Sequence, residues 1–220
     1  VSEEGGAAAV TLDGTVIWRQ DLVGDAGTAV RVFAAPTVAT NLLLVPYVRD
    51  DLYSQPAMMA LDKQSGQVRW RAVDVSGLKE DWGNIRSSPA LIGTLMVFGE
   101  VYSNGLYAMD IASGETRWSV DVGPFCNPHW PSPSIANGMV YLARHDGGLY
   151  AIDAGRGDLA WRISVGEETD GRWPDSYEDD NYCEWNPKDG SPVLASPAIA
   201  PNGVVVVGSI QGLLTAIGDA

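Results

Sequence analysis

A chain of 220 residues with 45% apolar content can bury a substantial core, and its 25 glycines suit a turn-rich β protein better than a helical one. Its formal charge of −14 argues against nucleic acid and anionic lipid as partners held by electrostatics. No apolar run approaches the ~18 residues that span a bilayer, so direct membrane insertion is not expected.

In chain order the first segment reads as the end of a unit. Ala7-Ala-Ala-Val-Thr-Leu12 and Thr15-Val-Ile-Trp-Arg19 are short apolar runs on either side of Asp13-Gly14. The next unit opens at Pro36 and closes on Ala60-Leu-Asp62-Lys-Gln-Ser65-Gly66-Gln-Val-Arg-Trp70. Pro89 opens another, closing on Ala108-Met-Asp110-Ile-Ala-Ser113-Gly114-Glu-Thr-Arg-Trp118. A third runs from Pro133 to Ala151-Ile-Asp153-Ala-Gly-Arg156-Gly157-Asp-Leu-Ala-Trp161. The last opens at Pro197 and reaches Leu213-Leu-Thr-Ala-Ile217, where Gly218 stands in the place of the aspartate. Self-similarity at about 45 residues is the sequence mark of a solenoid or a propeller.

The third unit shows the internal plan. Ser132 to Ala136 is a short strand led in by proline, Asn137-Gly138 is a hairpin turn, and Met139 to Ala143 is an apolar β-rich run. Asp146-Gly147-Gly148 turns the chain into Leu149–Ile152, and Asp153 to Gly157 turns it again into Leu159–Ile163. Turns at this spacing predict an all-β fold built from four-stranded antiparallel units. An aspartate just after a strand can bond the backbone of the following turn, and the glycine supplies the positive φ a tight turn needs. Alanine leaves room for a neighbour, so Trp18, Trp70, Trp118 and Trp161 are expected as structural wedges between adjacent sheets.

The Ala-x-Asp-x-x-Ser-Gly-x-x-x-Trp pattern, with Ser-Pro and Gly-x-Leu-Tyr-Ala segments before it, resembles the tryptophan-docking repeat of the PQQ-like β-propellers. That family includes the quinoprotein alcohol dehydrogenases and outer-membrane assembly lipoproteins of the BamB type. The resemblance covers nearly the whole chain and departs most in the first unit, which is shorter between Asp13 and Trp18 than its counterparts. It implies one propeller domain over 1–220: a partial blade at 1–23, blades at about 34–75, 87–122 and 131–165, and a partial blade at 195–220. About four to five blades are expected, either as a small ring whose two ends share a composite blade or as an excerpt of a larger ring.

Residues 167–194 form the longest connection, and between Glu167 and Asp189 they hold nine acidic and two basic residues. Asp175, Glu178, Asp179 and Asp180 offer oxygen ligands of the kind Ca²⁺ takes, but without an Asp-x-Asp-x-Asp-Gly loop a solvated acidic rim is the simpler reading. Cys126 and Cys183 sit in consecutive inter-blade connections, where a disulfide can form in an oxidising compartment or two separate thiols can remain. The connections that run from an outer strand to the next inner strand carry Trp82, Trp130, Trp173 and Trp185 with Asn84, Arg86 and His129, and also Asn127, Asp175, Tyr177, Tyr182 and Asn186. In a propeller they surround the channel mouth, and aromatic and amide groups gathered there suit a protein or other ligand. The competing reading is a lid of loops burying its own aromatics.

Enzymatic motifs are absent: there is no Gly-x-Ser-x-Gly, no HExxH and no P-loop, and His145 reads as a surface residue. The quinoproteins carry adjacent cysteines over their cofactor, whereas Cys126 and Cys183 are far apart, so PQQ is not expected. The expectation is a non-catalytic, extracytoplasmic binding module with a protein partner and no resident cofactor. A PQQ-dependent oxidoreductase, or a fragment of one, and a Ca²⁺-dependent carbohydrate binder are the alternatives.

Overall fold

The computed structural model describes residues 1–24, 27–49, 56–73, 85–100, 105–122, 131–144, 146–165, 193–209 and 211–218. The chain opens with a hairpin of β1 (Gly6–Val10) and β2 (Val16–Asp21). A sheet follows from β3 (Val30–Arg31), β4 (Thr37–Val38), β5 (Leu42–Arg49), β6 (Pro56–Asp62) and β7 (Val68–Val73), in which β3 and β4 both pair with β5. Two four-stranded meanders come next. One is β8 (Ala90–Ile92), β9 (Leu95–Gly99), β10 (Gly105–Asp110) and β11 (Thr116–Asp121). The other is β12 (Ser134–Ala136), β13 (Met139–Ala143), β14 (Gly148–Asp153) and β15 (Leu159–Ser164). A three-stranded sheet of β16 (Ala198–Ile199), β17 (Val205–Gly208) and β18 (Leu214–Ile217) ends the chain. The architecture is the all-β one expected, with antiparallel pairing throughout these sheets.

The burial pattern shows why the sheets need each other. Residues of β10 and β14 are buried on both faces up to the terminal aspartate, because each sheet is sandwiched between its neighbours. Leu44, Met58, Met96, Phe98 and Met109 fill the gap between the second and third sheets, and Leu106, Leu142, Tyr150 and Ile152 fill the next. Fully burying such a side chain stabilises by roughly 1.5–3 kcal/mol. Where no neighbour follows, the pattern changes: Leu214 of β18 is 76% exposed.

Two seams join successive sheets. At the periphery the Trp18 indole N–H donates to the Lys63 carbonyl at 2.9 Å, Trp70 to Ile111 at 3.0 Å and Trp118 to Ala154 at 3.0 Å. Each ring lies across a glycine of the next sheet, so close that a Cβ there would stand 2.7 Å from Trp18 at Gly66 and 2.7 Å from Trp70 at Gly114. Near the axis hydroxyl groups do the joining. The Ser88 amide donates to Ser132 Oγ at 2.9 Å, and the Ser132 amide to Ser196 Oγ at 2.8 Å. Thr37 and Ser134 hydroxyls donate to the carbonyls of Pro89 and Pro197.

One sequence expectation changes here. Among the described residues no pairing joins the β1–β2 hairpin to the β16–β18 sheet, so of the two arrangements expected this structure does not display the composite blade. Trp18 docks on the sheet that follows it, as Trp70 and Trp118 do.

In the three complete units the turn after the third strand is locked by its aspartate. Asp62 Oδ1 accepts the Gln64 and Ser65 amides at 3.0 and 2.9 Å, while Oδ2 accepts Arg69 Nη2 at 2.7 Å. Asp110 repeats the set with Ala112, Ser113 and Arg117. Gly66, Gly114 and Gly157 follow at φ of 73°, 74° and 80°, a conformation that costs other residues about 1–2 kcal/mol. The arginine, then the serine amide, holds the Asp62 and Asp110 carboxyls below the usual carboxylate range. A folded-state pKa that is depressed adds stability above the ordinary value of about 3.9, and that contribution is lost as pH falls through the folded value. The acid limb of stability should therefore be shallower in Asp62→Asn/Asp110→Asn than in the parent, read from urea midpoints across an acidic pH series.

Candidate functional site

Antiparallel order fixes which loops share a face. The connection into each first strand and the hairpin between second and third strands lie at the same end of every sheet. Most residues expected at this mouth fall outside the described residues: Trp82, Asn84, His129, Trp130, Trp173 and Trp185, together with Cys126 and Cys183. So do Asn127, Tyr177, Tyr182, Asn186 and His145, and the acidic residues Asp175, Glu178, Asp179 and Asp180. Arg86 is described, and it is exposed.

Its guanidinium carbon stands 5.2 Å from the centroid of the Phe33 ring, within cation–π range. Phe33 is 37% exposed and precedes Pro36 by the same interval that separates Arg86 from Pro89. Leu194, 41% exposed, occupies that place before Pro197. The sequence reading missed Phe33 and Leu194, although aligning the units on their leading prolines puts them in one column with Arg86 and Trp130.

Behind this rim lies a buried polar layer that the sequence reading also missed. On the second strands, Leu44, Val97 and Tyr141 pair with the motif alanines Ala60, Ala108 and Ala151. Counting on from them toward the mouth, Tyr47, Glu100 and Arg144 hold one equivalent position, and all three are buried. The Tyr107 hydroxyl donates to Glu100 Oε2 at 3.1 Å, and its ring stacks on Phe98 with centroids 5.9 Å apart. Arg144 lies with its guanidinium carbon 5.9 Å from the Tyr150 centroid. The Tyr150 hydroxyl donates to Asp146 and accepts from Arg162 Nε at 3.0 Å, while Arg162 Nη2 stands 3.6 Å from Asp146 Oδ2.

Burial, then the Asp146 charge, pushes the Tyr150 phenol up to about 12. Burial lowers the Arg144 pKa, and the Asp146 carboxylate opposes that shift. Glu100 and Arg144 each make a further interaction beyond those named. This layer ties down the strand ends from which the mouth connections spring: the Val193 amide, beside Leu194, donates to the Arg144 carbonyl at 3.1 Å. Among the described residues no three His, Cys, Asp or Glu side chains converge as a metal site.

A family model described as outer membrane protein assembly factor BamB matches residues 1–122 and 60–176. Among solved structures, BamB from Moraxella catarrhalis is similar with a TM-score of 0.70 at 15% identity, over 99% of this chain and 56% of that one. A quinohemoprotein alcohol dehydrogenase from Comamonas testosteroni gives 0.64 at 13% identity, over 94% and 41%. The computationally designed Ika8 protein gives 0.62 at 15%, over 97% and 52%. The chain thus spans about half the length of these structures, and at such identities the likeness is one of fold. A search of curated proteins gave no match.

Removing the buried cation tests the polar layer. Arg144→Met leaves the buried Asp146 side chain with Arg162 alone as the cation described near it and should cost about 3 kcal/mol in urea unfolding. A cost near zero would show that the layer contributes nothing to holding the mouth face.

Proposed function

The chain belongs to the family of the outer membrane protein assembly factor BamB, and on that premise we propose that it is a non-catalytic, extracytoplasmic binding module whose mouth face takes a protein partner. The observation that carries this reading is the Phe33–Arg86 pair, an exposed aromatic and a guanidinium displayed together on the face from which the long connections spring. Aromatic residues and arginine are the types enriched at protein interfaces and over-represented among residues that dominate binding energy. A rigid support matters as much as the side chains, because a surface already in place does not spend binding energy on ordering itself. The stacked sheets and the buried Tyr47–Glu100–Arg144 layer supply that support. The family's description as an outer-membrane assembly factor supports a place outside the cytoplasm and a protein as the partner. The reading carries no resident PQQ or Ca²⁺.

Two measurements test it. In affinity capture from cell-envelope extract with cross-linking, a partner held by the parent should be lost from Phe33→Ser/Arg86→Ala, with affinity at least about tenfold weaker, or 1.4 kcal/mol. Equal capture by both proteins would remove this face as the binding surface. Thermal unfolding with EDTA, with Ca²⁺ and with Ca²⁺ plus PQQ should show no shift. A ligand at ~100 times its Kd stabilises by about 2.7 kcal/mol, so a raised midpoint with PQQ would make the quinoprotein reading the correct one.

A further inference from the structure

The chain contains three Asn-Gly pairs, at Asn104-Gly105, Asn137-Gly138 and Asn202-Gly203, and Asn104 lies outside the described residues. Asn-Gly is a pair in which the glycine amide nitrogen, unshielded by a side chain, can attack the asparagine side-chain carbonyl carbon. The new C–N bond closes a five-membered succinimide as the side-chain nitrogen leaves as ammonia. One water then opens either C–N bond of the ring, giving aspartate or isoaspartate, with no oxidant or reductant involved. The reaction needs the glycine nitrogen free to approach and the asparagine side chain free to turn.

The structure separates the two described pairs on both counts. At Asn202-Gly203 the nucleophile is engaged, because the Gly203 amide donates to the Ala200 carbonyl at 2.9 Å. The electrophile is engaged as well, because Asn202 Oδ1 accepts the Val204 amide at 3.3 Å. At Asn137-Gly138 neither the Gly138 amide nor the Asn137 side chain makes a hydrogen bond among the described residues. Both residues are exposed, at the tip of the two-residue turn between paired Ala136 and Met139. Asn137 is held at φ 52° and Gly138 at 77°, the signature of a type I′ hairpin, and Asn137 alone among the described non-glycine residues has positive φ.

We propose that Asn137 is a site of spontaneous covalent modification in the folded protein, converting to isoaspartate and aspartate while Asn202 is protected. The site is wired to a sheet seam. The Gly138 carbonyl accepts the Ala154 amide at 2.9 Å, and the Ala154 carbonyl accepts the Trp118 indole N–H at 3.0 Å. Isoaspartate routes the main chain through an additional carbon, which a two-residue turn cannot absorb without moving Gly138. Conversion therefore loosens the contact between the β12–β15 sheet and the β8–β11 sheet before it.

The test is peptide mapping by mass spectrometry of the intact chain aged in mildly alkaline buffer made with ¹⁸O-water, run both folded and in concentrated urea. Folded, the Asn137 peptide should convert several-fold faster than the Asn202 peptide, each event incorporating one ¹⁸O. In urea the two rates should converge, since the protection at Asn202 is structural. The isoaspartate fraction should also unfold at a lower temperature than the unaged protein. Equal or faster conversion at Asn202 in the folded state, or no conversion at Asn137, would overturn the proposal.

Discussion

The architecture depends on one repeated contact: the indole of an outer strand laid across a positive-φ glycine of the next sheet. That contact needs the whole motif. The aspartate fixes the turn by accepting two amides, the glycine alone tolerates φ near +75° with a ring against it, and the tryptophan N–H finds a turn carbonyl. A single meander would leave two apolar faces in water, so the isolated unit has no reason to persist. Stacking covers both faces at once, and the indole contact sets the spacing and register at which it happens.

From that constraint the geometry of the proposed binding face follows. The indole seam and the Ser88–Ser132–Ser196 seam clamp the β8–β11 and β12–β15 sheets at the periphery and near the axis. The strand ends at the mouth are then fixed points, and the side chains at equivalent positions are free to differ from unit to unit. Tyr47, Glu100 and Arg144 show this variation buried, and Phe33, Arg86 and Leu194 show it exposed. A repeat that holds its seams constant while varying its mouth is suited to presenting an asymmetric surface to a partner.

The indole seam was legible because its residues recur. Ala108-x-Asp110-x-x-Ser113-Gly114-x-x-x-Trp118 announces turn and wedge in one string, and the structure adds a register shift after Ala60, Ala108 and Ala151 alike. The buried polar layer was harder to see because its chemistry differs in each unit. Arg144 stands in an Ala-Arg-His-Asp turn that reads as solvated surface, and only its equivalence to Tyr47 reveals that it is covered. Phe33 was overlooked for a related reason: attention fell on tryptophans in long connections, whereas its significance comes from Arg86 on the neighbouring sheet. Of the two arrangements expected from the chain's ends, the structure pairs no strand of the β1–β2 hairpin with the β16–β18 sheet among the described residues.

The central claim is that ring and glycine act as one unit across the seam, and a double-mutant cycle at Trp70 and Gly114 addresses it most directly. In the parent, Gly114→Ala meets both the backbone strain and the Trp70 ring; in Trp70→Ala only the strain remains. Urea unfolding should show the glycine substitution costing at least about 1 kcal/mol more with the tryptophan present. Equal costs in the two backgrounds would mean that the contact is incidental and that the sheets are held together by something else.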